Sequence, residues 1–316
     1  MSATADDRRI RSLRPAKPYV DPHRAHGTLL EEERRPDGRI ERALTVFLAG
    51  AECPFTCSFC DLWRYTIDGP TPRGALTRQL EQVLASLEGR MPDRLKLYTA
   101  SNFFDRRAVP PEDLDDLARL AAPFAAVTVE SHASTIGDAA LAFARRLRGR
   151  LEVAMGLETV HPVAAARINK RLDATRFELA ARRLLGDGIE LRVFVLLGAP
   201  HVPAAESVAW TERTVAYAIE RDAAVVSIIP VRGGNGELER LQALGEFTPP
   251  TLTQLEDALD AGLTRADGAV VTADLWDAER LPGCARCRAD RIARLARVNL
   301  MGRAEPRVEC PDCAGT

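Results

Sequence analysis

The chain has 316 residues, 46% hydrophobic and 28% charged, with a formal net charge of −2. These values exclude a disordered or fibrous chain and leave one large α/β domain with an appendage, or two medium domains. Near-neutrality gives no general affinity for nucleic acid, and no apolar run approaches the roughly 18 residues that a membrane span requires.

The opening segment MSATADDRRIRSLRP lacks the apolar stretch of a secretory signal, and its Asp6 and Asp7 are foreign to an organelle transit peptide. Residues 1–42 are therefore read as a flexible arm of a cytoplasmic protein. Strand candidates follow at 43–50 (ALTVFLAG), 94–100 (RLKLYTA), 126–131 (AVTVES), 151–159 (LEVAMGLET), 191–198 (LRVFVLLG) and 224–230 (AVVSIIP). Their near-continuous hydrophobicity is that of strands covered on both faces. Amphipathic helix candidates at 74–87, 111–120, 138–146, 174–185, 204–219 and 252–263 lie between and after them.

Strict alternation implies parallel strands joined by right-handed crossovers. Six such units build either an open doubly wound sheet or an incomplete barrel. No Gly-x-Gly-x-x-Gly follows the first strand, and the polar and cysteine-rich positions gather just after strand C-termini, where barrel active sites are built. The expected fold is α/β, a partial (β/α)6 TIM-like barrel over residues 43–235. A C-terminal extension, 236–316, carries one more strand candidate at 269–276, a helix candidate at 290–300 and four cysteines.

The seven cysteines fall into two groups, with none between 60 and 284. Tight clusters without a secretion signal point to metal ligation rather than disulfides. The first group, Cys53-x3-Cys57-x2-Cys60, directly follows the first strand. Three thiolates from one loop suit an iron–sulfur cube and leave one iron open to a small molecule. The alternative is zinc, closed by His23 or His26 folding back. The second group, Cys284-x2-Cys287 and Cys310-x2-Cys313 with 22 residues between, offers four thiolates. Structural zinc suits them, and an auxiliary iron–sulfur cluster uses the same ligands.

The first motif, with Phe59 just before its last cysteine, resembles the signature of the radical S-adenosylmethionine superfamily. The resemblance implies a [4Fe–4S] cluster on Cys53, Cys57 and Cys60, with S-adenosylmethionine chelating the open iron. Cleavage of its C–S bond then yields a 5′-deoxyadenosyl radical, and an external donor supplies the electron. It further implies cosubstrate contacts from Phe59, from Ser101 and Asn102 where the family has Gly-Gly-Glu, from Glu130 and Ser131, from Glu158 toward the ribose, and from His201 near adenine. At a finer level YTASNFFD, LEVAMGLET, Arg167-Ile-Asn-Lys170 and LRVFVLLGAP are similar to the branch holding the radical subunit of archaeosine synthase, with the Elongator catalytic subunit a more distant relative. That branch implies a tRNA nucleobase as substrate and a possible partner subunit.

Tyr98, His132, His161 and His201 are further candidates for the substrate side. Basic residues Arg145, Arg146, Arg148 and Arg150, with Arg8, Arg9, Arg11 and Arg14, suit either a phosphate backbone or a solvated surface. Two rival readings stand beside the tRNA enzyme: a radical enzyme acting on a small metabolite, and a non-catalytic adaptor holding two zinc ions.

Overall fold

The computed structural model describes residues 3–313. In chain order the elements are α1 (Ala5–Leu13), β1 (Gly27–Arg34), β2 (Ile40–Phe47), α2 (Ala75–Ala85), β3 (Arg94–Tyr98), α3 (Asp113–Leu120), β4 (Ala126–Glu130), α4 (Asp138–Arg146) and β5 (Arg150–Glu158). They continue with α5 (Pro162–Arg167), α6 (Ala174–Gly186), β6 (Glu190–Leu197), α7 (Ser207–Ile219), β7 (Val225–Pro230), α8 (Glu237–Ala243), α9 (Leu252–Leu263), β8 (Val270–Ala273) and α10 (Arg288–Met301). One sheet takes all eight strands in sequence order. β1 pairs antiparallel with β2, and every later pair is parallel. The result is the expected partial barrel, its six predicted strands appearing as β2 to β7 and the seventh candidate as β8.

The outer strand faces carry the main core: Leu44, Val46, Leu95, Leu97, Val127, Val129, Val153, Val193, Val195 and Ile228 pack beneath the helices. The inner face differs. TIM barrels fill their interior with branched apolar side chains, whereas this lumen is lined with ions. Glu152 meets Arg192 and Arg35, each at 2.7 Å, and Arg94 meets Glu41 at 2.9 Å. Lys96 meets Glu31 and Glu33, each at 2.7 Å. Burial favours the neutral form of Glu152, but Arg192, Arg94 and Arg35 together hold its carboxyl far below the usual range.

That network explains why β1 was not expected as a strand. GTLLEEER reads as a solvated arm because its inward side chains are carboxylates, and their cations lie far along the chain on β3 and β6. The predicted flexible arm therefore contributes a helix and a sheet strand. α10 contacts both edge strands, β1 and β8. Asn299 caps the backbone of β8, accepting from the Ala273 N–H at 2.9 Å and donating to its carbonyl at 2.8 Å. No helix among the described residues is long and apolar enough to cross a membrane.

Candidate active site and metal centre

The first cysteine group lies in the loop after β2, at the C-terminal end of the parallel strands. Three asparagines and one backbone bond hold that loop in shape. Asn169 donates to the Thr56 carbonyl at 3.0 Å and to its hydroxyl at 2.8 Å. Asn235 donates to the carbonyls of Ser58 at 2.9 Å and Cys60 at 3.4 Å. The Ser58 N–H meets the Ile168 carbonyl at 2.9 Å, and Asn102 donates to the Cys53 sulfur at 3.3 Å. Burial pushes the Cys57 thiol up to about 12, and Cys53 and Cys60 upward as well. Thiolates in such a place need a nearby cation, which a metal centre would provide.

Around the loop stand several of the predicted residues. Glu130 accepts the Thr99 N–H at 3.0 Å. Burial pushes its carboxyl up to about 7, against the backbone N–H groups of Thr99, Ala100 and Ser101 that favour its charge. Asn102 also accepts the His132 N–H at 2.8 Å, so one amide ties Cys53 to the segment after β4. His132 stacks on Phe55 with ring centroids 4.1 Å apart and donates from Nε2 to the Lys170 carbonyl at 3.2 Å. Burial and the Lys170 charge lower its pKa to about 4, so it is neutral at pH 7. Ser131 bonds Thr135 at 2.7 Å. The hydroxyls of Ser58 and Ser101 are buried with no hydrogen-bond partner, the kind of vacancy that a polar ligand satisfies.

Glu158 reaches this group through a bulge, where the β5–β6 register shifts between Gly156 and Glu158. Its φ of 69° is left-handed, a strained conformation that collects at functional sites. Lys170 pairs with it at 2.6 Å, and both side chains are buried. Burial works against the Lys170 charge, but Glu158 and the nearby Cys57 and Cys53 sulfurs keep its pKa above the usual lysine value. A Cβ at Gly156 would fall 2.0 Å from Glu158 Oε1 and 2.7 Å from Lys170 Nζ, so only glycine leaves room for the pair.

Other predicted residues lie elsewhere. Phe59 packs into a second apolar cluster with Leu196, Ala199 and Val231. His201 turns to Glu246, 3.3 Å from Nδ1 to the carboxylate. His161 caps α5, accepting the Ala164 N–H at 3.1 Å. Tyr98 lies in an aromatic row with Phe47 and Trp276: Phe47 is 6.4 Å from Tyr98 and 5.8 Å from Trp276 between ring centroids. Trp276 is 57% exposed. Sequence reasoning gave no site role to Lys170, Asn169 or Asn235. The phrase Ile168-Asn169-Lys170 was visible, but its reach back to the cysteine loop is a tertiary fact.

The second cysteine group is a compact centre. The sulfurs of Cys284, Cys287, Cys310 and Cys313 all lie within 4.8 Å of one another, the one such ligand group found among the described residues. Cys284 and Cys310 are 4.0 Å apart, and Cys287 and Cys313 3.8 Å apart. Cys287 precedes α10 and the second knuckle follows it, so the centre ties both ends of that helix together. Behind it, buried Glu256 of α9 pairs with Arg291 at 2.6 Å and Arg307 at 3.1 Å.

No family model matches the chain, and no curated protein does. Solved structures do match. A spore photoproduct lyase with dinucleoside spore photoproduct is 13% identical, over 72% of this chain and 75% of that one, with a TM-score of 0.52. A form of that lyase that also carries AdoMet gives 12%, 73%, 75% and 0.50. Methylornithine synthase is 16% identical over 82% of this chain and 81% of that one, with a TM-score of 0.47. Coproporphyrinogen III oxidase from Escherichia coli, described as a radical SAM enzyme, is 16% identical over 68% of this chain, with a TM-score of 0.45; the match spans half of that oxidase. At such identities the likeness is one of fold. The chain shares the partial barrel of spore photoproduct lyase.

Proposed function

We propose that this chain is a radical S-adenosylmethionine enzyme. One observation carries the reading: three half-buried thiols stand on a single loop at the C-terminal end of β2, in a partial barrel. Cys53, Cys57 and Cys60 would hold a [4Fe–4S] cluster, which would supply one-electron cleavage of S-adenosylmethionine to a 5′-deoxyadenosyl radical. The electron comes from an external donor.

The surrounding residues do the positioning. Asn102 steadies the Cys53 sulfur, and Glu130 orders the backbone at 99–101. The unpartnered hydroxyls of Ser58 and Ser101 suit the methionine amino and carboxylate groups. Glu158, held by its pair with Lys170, would take the ribose hydroxyls. We assign Phe59, packed on the apolar cluster that follows β6, and His201 to the adenine side. We assign residues 43–235 to the catalytic unit and the whole to the cytoplasm.

For the substrate we propose a tRNA nucleobase, in keeping with the resemblance to the archaeosine synthase branch. The aromatic row of Tyr98, Phe47 and exposed Trp276 supports it, because bases stack on such rings. Spore photoproduct lyase, of the same fold, holds a dinucleoside. At the C-terminal centre we propose one structural zinc. A tetrahedral ion with Zn–S bonds of about 2.3 Å sets its sulfurs about 3.8 Å apart, which matches the observed separations, whereas four irons would spread them further.

Anaerobic purification tests the first reading. The protein should be brown and release 5′-deoxyadenosine on reduction with S-adenosylmethionine. A colourless protein that stays inert after reconstitution with iron and sulfide would overturn it. Mass analysis of nucleosides from treated tRNA, beside a mixture of small metabolites, tests the substrate.

A further inference from the structure

The N-terminal helix lies against the cysteine loop, and its contacts converge on one buried side chain. Asp7 is 4% exposed. It accepts from the Thr4 N–H at 2.8 Å within its own capping box. Its remaining partners come from outside the helix: the Thr56 hydroxyl, the Asn169 amide at 3.0 Å and the Arg171 guanidinium. Thr56 stands directly before Cys57. Asn169 bonds the same Thr56 through both carbonyl and hydroxyl, so Asp7, Thr56 and Asn169 form a closed triangle of hydrogen bonds around the loop.

The rest of α1 is anchored along its length. Arg9 pairs with buried Glu237 of α8 at 3.0 Å. Arg14 pairs at 2.7 Å with Glu52, the neighbour of Cys53, and lies 4.8 Å over the Trp63 ring. At Gly236, with φ of +88°, a Cβ would fall 1.9 Å from the Leu13 carbonyl oxygen, so the end of α1 packs directly on backbone. Four partners on one buried carboxylate exceed what helix capping needs. A capping Asp is satisfied by its own helix, and burying it costs free energy unless the outside partners return it.

We propose that Asp7 is a positioning residue for the cysteine loop: through Thr56 and Asn169 it fixes the backbone that sets the Cys53 and Cys57 sulfurs. This rests on the reading that those thiols hold a cluster, but the ordering of the loop does not need the cluster to be measured.

The experiment compares the full-length wild type with Asp7→Ala, Asp7→Asn and Thr56→Val. Hydrogen exchange of amides 53–61 is followed first on the iron-free protein. Asp7→Ala should speed exchange there by at least roughly fivefold, the scale of one buried hydrogen bond lost, with β3 to β6 unchanged. Asp7→Asn keeps acceptors for Thr56 and Asn169 and should fall between. Thr56→Val, which leaves α1 intact, should reproduce the local loosening, so misfolding of the Asp7 variants would not hide the effect. After reconstitution the same order should hold for the rate at which a chelator strips iron, and the reduced cluster of Asp7→Ala should give a broadened electron paramagnetic resonance signal. Unchanged exchange at 53–61 in Thr56→Val and the Asp7 variants, or loosening spread evenly over the barrel, would overturn the proposal. A wild type that takes up no iron, with the exchange pattern as expected, would sink the cluster reading alone.

Discussion

The two cysteine groups use the same ligand atom for opposite ends. Cys53, Cys57 and Cys60 are half-buried near Lys170 and Glu158, on a loop held by side chains from four separate segments: α1, the loop after β3, the loop after α5 and the turn before α8. Cys284, Cys287, Cys310 and Cys313 come from two short knuckles flanking α10, with Cys287 and Cys310 buried and all four sulfurs within 4.8 Å of one another. On the proposed reading the first group is three ligands in a tuned environment, and the second is four ligands in a closed shell. An open coordination position is useful only where neighbouring groups can orient what enters it, and a closed one serves only to tie chain to chain.

Four outcomes would sharpen or break that contrast. The largest effect is expected from Cys57→Ala: iron content and formation of 5′-deoxyadenosine should be lost, while the melting temperature of the iron-free protein stays near the wild-type value. A large loss of stability instead would make the first group structural. Next, changing Cys284 and Cys287 to Ser should abolish zinc binding and lower the melting midpoint by roughly 10 °C, with cluster absorbance retained in the folded fraction. Retained zinc would remove the distinction between the two centres.

Gly156→Ala should be intermediate. Its Cβ meets the Glu158–Lys170 pair, so overpacking should cost about 1–3 kcal/mol in urea unfolding and weaken S-adenosylmethionine binding in equilibrium dialysis. The smallest effect concerns pH. The Glu130 carboxyl is raised from 4.5 to about 7 by burial. A raised acid favours the folded state below its unfolded pKa, and that contribution is lost as pH rises through the folded value. Stability of the iron-free wild type should therefore fall between pH 5 and 8, by at most about 3 kcal/mol, and Glu130→Gln should flatten the profile. Parallel profiles for the two proteins would show that Glu130 does not titrate in this range.

The same contrast governs what could be read in advance. The second group was legible because its ligands are adjacent in sequence; a Cys-x2-Cys knuckle is a local object. The first group was legible as three cysteines but not as a site. Glu130 and Glu158 could be named because strand ends mark the active face of a barrel, and the structure gives them partners in the Thr99 N–H and Lys170. His161 and His201 were not separable from ordinary loop histidines, and the structure gives them a helix cap and a partner in Glu246. Lys170 lies in a loop between two helices, where nothing local distinguishes it from a solvated lysine.

By itself the sequence determined the alternating strands and helices, hence a parallel sheet, and it determined which residues are capable of binding metal. Both depend on short-range periodicity and spacing. Only the tertiary structure decided that GTLLEEER is a strand, because its glutamates are stable inward only opposite Lys96 and Arg192. Only the tertiary structure brought Asp7, Asn169, Lys170 and Asn235 to the cysteine loop. Their side chains act at a few ångströms across separations of tens to hundreds of residues, and no local pattern records such a meeting.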